Sequence, residues 1–242
     1  MLDTSQLNYY KKREATVLLL DPTFVLLIPA LILAVYAQFK VRSTYQRFEK
    51  TGAASGLTGA EAARKILRYK AIDNVGVEEV EGNLTDHYDP RTKVVSLSSG
   101  VYNGTSLAAL GVAAHETGHA MQDAKEYTPL KLRTTFFPVA SIGSTAAFPL
   151  FFIGLLFRFP ALMDLGIIFF TAAVVFQVIT LPVEFNATNR ALALLTDSGV
   201  FVPTEVPSAR KVLRAAGLTY VAAAAMSLLQ LLRLVLLRQS RD

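Results

Sequence analysis

The chain of 242 residues contains no cysteine, which excludes disulfides, thiolate metal ligands and a cysteine nucleophile together. Histidine is nearly as scarce, with three in all, so any metal must be held by those imidazoles, by Asp or Glu, or by water. Charge is sparse as well. Only 18% of residues are charged against 52% hydrophobic, and the mean hydropathy is +0.38, more apolar than a soluble domain of this length. No run of Lys and Arg is interleaved with aromatics, so the net charge of +5 reads as basic flanks of membrane helices and not as a nucleic-acid surface. The composition predicts a membrane protein.

Two of the three histidines fall in VAAHETGHAMQ, residues 112–122. Residues four apart share a helix face, so His115 and His119 can close on one metal ion with Glu116 beside them. This is the zinc peptidase pattern His-Glu-x-x-His. Thr105 or Ser106 can cap the helix, and LAALGVAA supplies apolar residues at helical spacing before the first histidine. An accidental match on an ordinary amphipathic helix is expected in roughly one chain in several hundred at this composition. Gly118 is read as permitting close packing behind the helix.

In chain order, Lys11, Lys12 and Arg13 precede an apolar stretch over 17–39, long enough for a first transmembrane helix. Val35-Tyr36-Ala37 resembles a signal peptidase site, but the apolar region exceeds a leader core and is broken by Pro22 and Pro29. Residues 40–135 turn polar and are expected to form the soluble catalytic region carrying the HExxH helix. Within it, Thr58-Gly59-Ala60-Glu61 reads as a capping box. Residues 77–81 and 92–98 alternate like strands around an Asp89-Pro90 turn, predicting a small hairpin. Apolar stretches over 136–157 and 161–182 predict a second and third transmembrane helix, antiparallel because only Arg158, Phe159 and Pro160 separate them. Residues 183–217 form a second soluble segment, and 218–237 a fourth helix, transmembrane or interfacial because of Arg233. The expected fold is an integral membrane α-helical protein of about four transmembrane helices with a small α+β zincin-like unit. Nine Lys and Arg residues flank the helix ends on the side of 40–135 and 183–217, against six on the other, which favours a cytoplasmic catalytic region.

A third metal ligand must come from elsewhere. Glu184, just past the third apolar stretch, is one candidate; His87, Asp123 and Asp197 are the others. Asp123 lies four residues after His119, and ligands in line along one helix cannot easily surround an ion.

The stretches LDPTFVLLIPALILAVYAQ, GLTGAEAARKIL, DHYDPRTKVVSLS, AALGVAAHETGHAMQ and LPVEFNATNRAL together resemble the YugP-type bacterial membrane zinc metallopeptidases, a family of neutral zinc peptidases. The resemblance runs in order through nearly the whole chain. It implies zinc held by His115, His119 and Glu184, with Glu116 catalytic. The chain departs from the expected Glu-Phe-Asp-Ala-Ser pattern, with Asn186 and Thr188 standing where an acid and a serine are expected. Such an acid would orient a ligating histidine more strongly than asparagine does.

The expected chemistry is peptide hydrolysis by zinc-activated water, Glu116 taking the proton and passing it to the leaving amine. His87, Tyr88, Tyr102 or Arg190 could donate to the developing oxyanion, with His87, in the DHYDP stretch, the first candidate for catalysis or substrate contact. The expected substrates are polypeptides, chiefly membrane proteins or segments presented at the lipid bilayer. The expected location is the bacterial inner membrane, crossed several times. The alternative is a noncatalytic membrane scaffold that retains a zinc site.

Overall fold

The structure is a computed structural model and describes residues 22–240. Lys11, Lys12, Arg13 and the beginning of the first apolar stretch lie outside the described residues. A 3-10 turn, Pro22–Leu27, leads into helix α1, Ile28–Glu49. Three further helices are long and apolar enough to cross a membrane: α5, Thr128–Leu156, α6, Pro160–Asp197, and α7, Val206–Gln239. Between α1 and α5 lie α2, Gly59–Tyr69, strands β1, Gly76–Val80, β2, His87–Asp89, and β3, Val94–Ser98, then a single turn α3, Ser99–Tyr102, and α4, Leu107–Ala124.

The local signals explain where these helices begin. Thr58 Oγ1 accepts from the Glu61 amide at 3.2 Å, and Glu61 Oε2 accepts from the Thr58 amide at 2.8 Å, completing the capping box of α2. Ser106 Oγ accepts from the Ala109 amide at 3.1 Å and caps α4. Ala62, Ala63, Ile66 and Leu67 put one face of α2 into the core. One buried cluster joins Phe48, Ile66 and Leu110 to Leu195, Val200 and Leu213. The small polar unit therefore shares its core with the ends of the long helices.

The hairpin expected from 77–81 and 92–98 does not form. β1 pairs parallel with β3, Gly76 opposite Val94 through Val80 opposite Ser98. The antiparallel partner of β3 is β2, which gives the order β1-β3-β2. Residues 81–86 carry the chain across the end of β3, using Gly82 and Leu84 at φ of 109° and 58°. Residues 90–93 then make the tight return, with Lys93 at φ 56°. Three residues with one buried side chain, Tyr88, are too few for alternation to mark a strand.

The long helices also run past the apolar stretches that announce them. α6 is continuous through Pro182 and ends only at Asp197, 38 residues in all, or about 57 Å. A hydrocarbon core is about 30 Å thick, so such a helix must project into water at one end. Most of the segment 183–217 is therefore helical, with only residues 198–205 between α6 and α7. α5 and α6 pack closely as an antiparallel pair. A Cβ on Gly166 would meet the Ala147 carbonyl oxygen at 2.8 Å, so only glycine allows that approach.

Candidate metal centre

The HETGH helix α4 is buried along most of its length and packs against the projecting part of α6. Gly118 makes that contact possible, because a Cβ there would lie 2.7 Å from the Ala187 carbonyl oxygen of α6. With the two backbones this close, Glu184, 2% exposed, faces the two histidines. His115 Nε2 lies 3.2 Å and His119 Nε2 3.5 Å from the same Glu184 oxygen, Oε2. Four tetrahedral ligands about 2.0–2.1 Å from a zinc ion stand about 3.3 Å from one another. Each histidine nitrogen thus stands about one tetrahedral edge from the carboxylate oxygen, and two imidazoles with one carboxylate are a donor set that zinc accepts. Among the described residues, His115, His119 and Glu184 form a group of potential ligands whose donor atoms all lie within 4.8 Å of one another.

The far side of each ring is held as well. Gln122 Oε1 accepts from His119 Nδ1 at 3.0 Å, so the Nδ1 proton is fixed and the Nε2 lone pair points at the group. Thr188 Oγ1 stands 3.4 Å from His115 Nδ1. Gln122 Nε2 in turn donates to the Val183 carbonyl at 2.7 Å and to Asn186 Oδ1 at 3.1 Å, and Arg190 Nε donates to Asn186 Oδ1 at 2.6 Å. Asn186 therefore reaches a histidine only through Gln122. Of the two departures from the expected pattern, Thr188 is the one beside an imidazole.

Glu184 has a second oxygen, and Arg133 Nη1 sits 3.1 Å from Oε1. This cation, carried on α5, is a part of the site that sequence reasoning counted only as a helix flank. The available signal was a basic residue retained where an apolar stretch begins. Tyr220 of α7, inside the fourth apolar stretch, was not singled out at all. Both line a cavity of about 630 Å³ together with Glu116, His119 and Glu184.

Glu116 is 8% exposed and borders this cavity. Burial pushes its carboxyl up to about 7; His115 opposes the shift and the Glu184 carboxylate adds to it. A carboxylate so poised can take a proton near neutral pH and give it back.

The remaining candidates divide cleanly. His87 and Tyr88 line the cavity from β2. His87 Nδ1 is 2.8 Å from the Thr85 carbonyl, which can only accept. The neutral ring therefore turns an acceptor Nε2 outward, and His87 donates there only as imidazolium. The Tyr88 hydroxyl donates to Asp123 Oδ2 at 2.6 Å, and Lys93 pairs with the same oxygen. Burial raises the Tyr88 pKa, and the bond to Asp123 raises it further. Tyr102 accepts from Arg64 at 2.8 Å and, like Arg190, is not part of the cavity wall. Asp123 is committed to Tyr88 and Lys93, and Asp197 is exposed at the end of α6. Of the carboxylates considered as third ligand, Glu184 is the one brought to the histidines.

The cavity is walled on one side by β2 and on the other by Phe137, Pro138 and Phe176 of the long apolar helices. A family model described as "Putative neutral zinc metallopeptidase" matches residues 23–239. The chain is similar to "Putative membrane protease YugP" of Bacillus subtilis (strain 168), 50% identical over 212 residues, which cover 88% of this chain and 94% of that protein. No solved structure matches the chain. A match through all the described elements, in a protein with four helices fit to cross a bilayer and a His/Glu group fit for zinc, has one reading: the chain belongs to the neutral zinc metallopeptidase family.

Proposed function

We propose that this chain is an integral membrane zinc endopeptidase in which His115, His119 and Glu184 hold the ion and Glu116 is the general base. The observation that carries this reading is the convergence of His115 Nε2, His119 Nε2 and Glu184 Oε2 at 3.2 and 3.5 Å beside a buried carboxylate. Zinc, when bound, supplies a Lewis acid that acidifies water and polarises the scissile carbonyl. Glu116 takes the water's proton and returns it to the leaving amine. Gln122 and Thr188 orient the two imidazoles, and Arg133, paired with Oε1 of Glu184, leaves Oε2 turned toward them. Arg133 and Tyr220 also face the cavity and are placed to donate to a developing oxyanion.

The polar region over 40–135 is read as a zincin-like unit, supported by a metal-binding helix beside a sheet whose strand β2 borders the cavity. Its opposite wall comes from helices that enter the bilayer. The site therefore lies at the membrane boundary and takes polypeptide presented there, such as loops or ends of membrane proteins. The excess of basic flanks, nine against six, supports a cytoplasmic orientation of this face at the inner membrane of a bacterial cell.

Metal analysis of the purified chain, with casein and a peptide library as substrates, tests the reading. Wild type should carry one zinc and cleave, while Glu116→Gln should keep zinc and lose about 10²–10⁴-fold in turnover. Zinc without cleavage by wild type leaves the noncatalytic scaffold. Equal cleavage of a soluble unfolded protein and its membrane-tethered form, at matched local concentration, removes the preference for membrane-presented substrate.

A further inference from the structure

A second cavity, of about 480 Å³, lies away from the metal group, between α1 and α7. Four cations line it, Lys40 and Arg47 from α1 and Lys211 and Arg214 from α7, and among the described residues no carboxylate does. None of the four is ion-paired with a described residue. Their clustering follows from helix geometry. Positions 40, 44 and 47 share one face of α1, and positions 211, 214 and 218 share one face of α7. The two helices are antiparallel, since Phe24 before α1 meets Arg233 near the end of α7, whereas Lys40 and Arg47 meet Lys211 and Arg214. Like charges are thus gathered with no described carboxylate opposite them, an arrangement that an anion would relieve.

The cavity is polar at one end only. Arg47 and Lys211 stand at the end nearer the polar unit, with the Arg47 guanidinium 5.5 Å from the centre of the Phe48 ring. Tyr36 and Leu218 stand at the other end, inside the apolar stretches. A ligand matching this gradient carries a negative head at the membrane boundary and a hydrocarbon tail running into the bilayer between the helices. We infer that the groove between α1 and α7 binds an anionic phospholipid, its phosphodiester held by Lys40, Arg47, Lys211 and Arg214. This site is separate from the proposed metal centre and stands or falls without it.

The full chain in nanodiscs of phosphatidylcholine with a minor fraction of phosphatidylglycerol tests this, with retained lipid counted by native mass spectrometry. Wild type should retain phosphatidylglycerol in preference to phosphatidylcholine. Lys40→Ala/Lys211→Ala should bind it about fivefold more weakly for each cation removed. Lys40→Arg/Lys211→Arg, and Arg68→Ala/Lys70→Ala at the C-terminal end of α2, should retain it as wild type does. If the double alanine variant does not fold, Arg214→Gln alone decides, with about a fivefold loss expected. No preference in wild type, or undiminished retention in the folded alanine or glutamine variant, overturns the inference. Displacement of the lipid by millimolar inorganic phosphate also overturns it, because the groove would then be a simple anion site.

Discussion

Gln122 is 0% exposed, does not line the cavity beside the metal group, and yet bonds to His119, Val183 and Asn186 at once. Replacing it with alanine removes three bonds with unequal consequences. Asn186 Oδ1 keeps Arg190 at 2.6 Å, and the Val183 carbonyl stays within α6. The His119 Nδ1 proton alone loses its acceptor. An unfixed Nδ1 allows the ring to turn and the proton to move to Nε2, where it blocks coordination. Loss of such an outer partner weakens metal binding about 10–100-fold, or about 1.4–2.7 kcal/mol. The orphaned buried donor also costs about 1–3 kcal/mol of fold stability. Gln122→Glu is the control, because a carboxylate oxygen can still accept from His119. Competition with a chromophoric zinc chelator at fixed pH gives Kd, and thermal unfolding gives stability. Gln122→Ala protein that binds zinc as tightly as wild type would refute the orienting role and with it the tautomer assigned to His119.

Gly118→Ala should push α4 and α6 apart at the Ala187 carbonyl, 2.7 Å from the new Cβ. The expected cost is about 1–3 kcal/mol, despite the better helix propensity of alanine, together with weaker zinc binding as Glu184 recedes. An unchanged melting temperature and Kd would count against that close contact. In chelator-treated protein, Glu116 is raised from 4.5 to about 7, so the folded state holds a proton that the unfolded chain has released. Its contribution to stability is full below the unfolded value and is lost as pH rises through about 7. Glu116→Gln should therefore gain in melting temperature over wild type across that window, and a pH-independent difference would show that the carboxyl is not buried as described. His87→Ala should lower turnover while zinc content stays the same, as measured by metal analysis; lost zinc would make His87 a ligand.

What the sequence could show is what short stretches of chain fix by themselves. The four-residue spacing of His115 and His119 is a property of helical geometry, and the Ser106 and Thr58 caps are local hydrogen bonds. Apolar length marks helices fit to cross a membrane without knowledge of their neighbours. The same local view failed where context overrides it. Pro182 marks an end in sequence, yet α6 continues because its following residues, Val183, Glu184 and Ala187, are packed in the core. Strand β2 has only three residues, and the parallel pairing of β1 with β3 depends on where 81–86 crosses. Arg133, Gln122 and Tyr220 carry no motif.

The residues alone determined the imidazole pair, the adjacent carboxylate and the membrane character. Family resemblance was needed to favour Glu184 among four candidates. Tertiary structure alone brought Glu184 to His115 across 69 residues of chain, set Arg133 on its other oxygen and gathered four cations between α1 and α7. The physical reason is range: caps and helical periodicity act within a few residues, whereas these contacts follow from which helix faces pack, decided by buried area and by small residues such as Gly118.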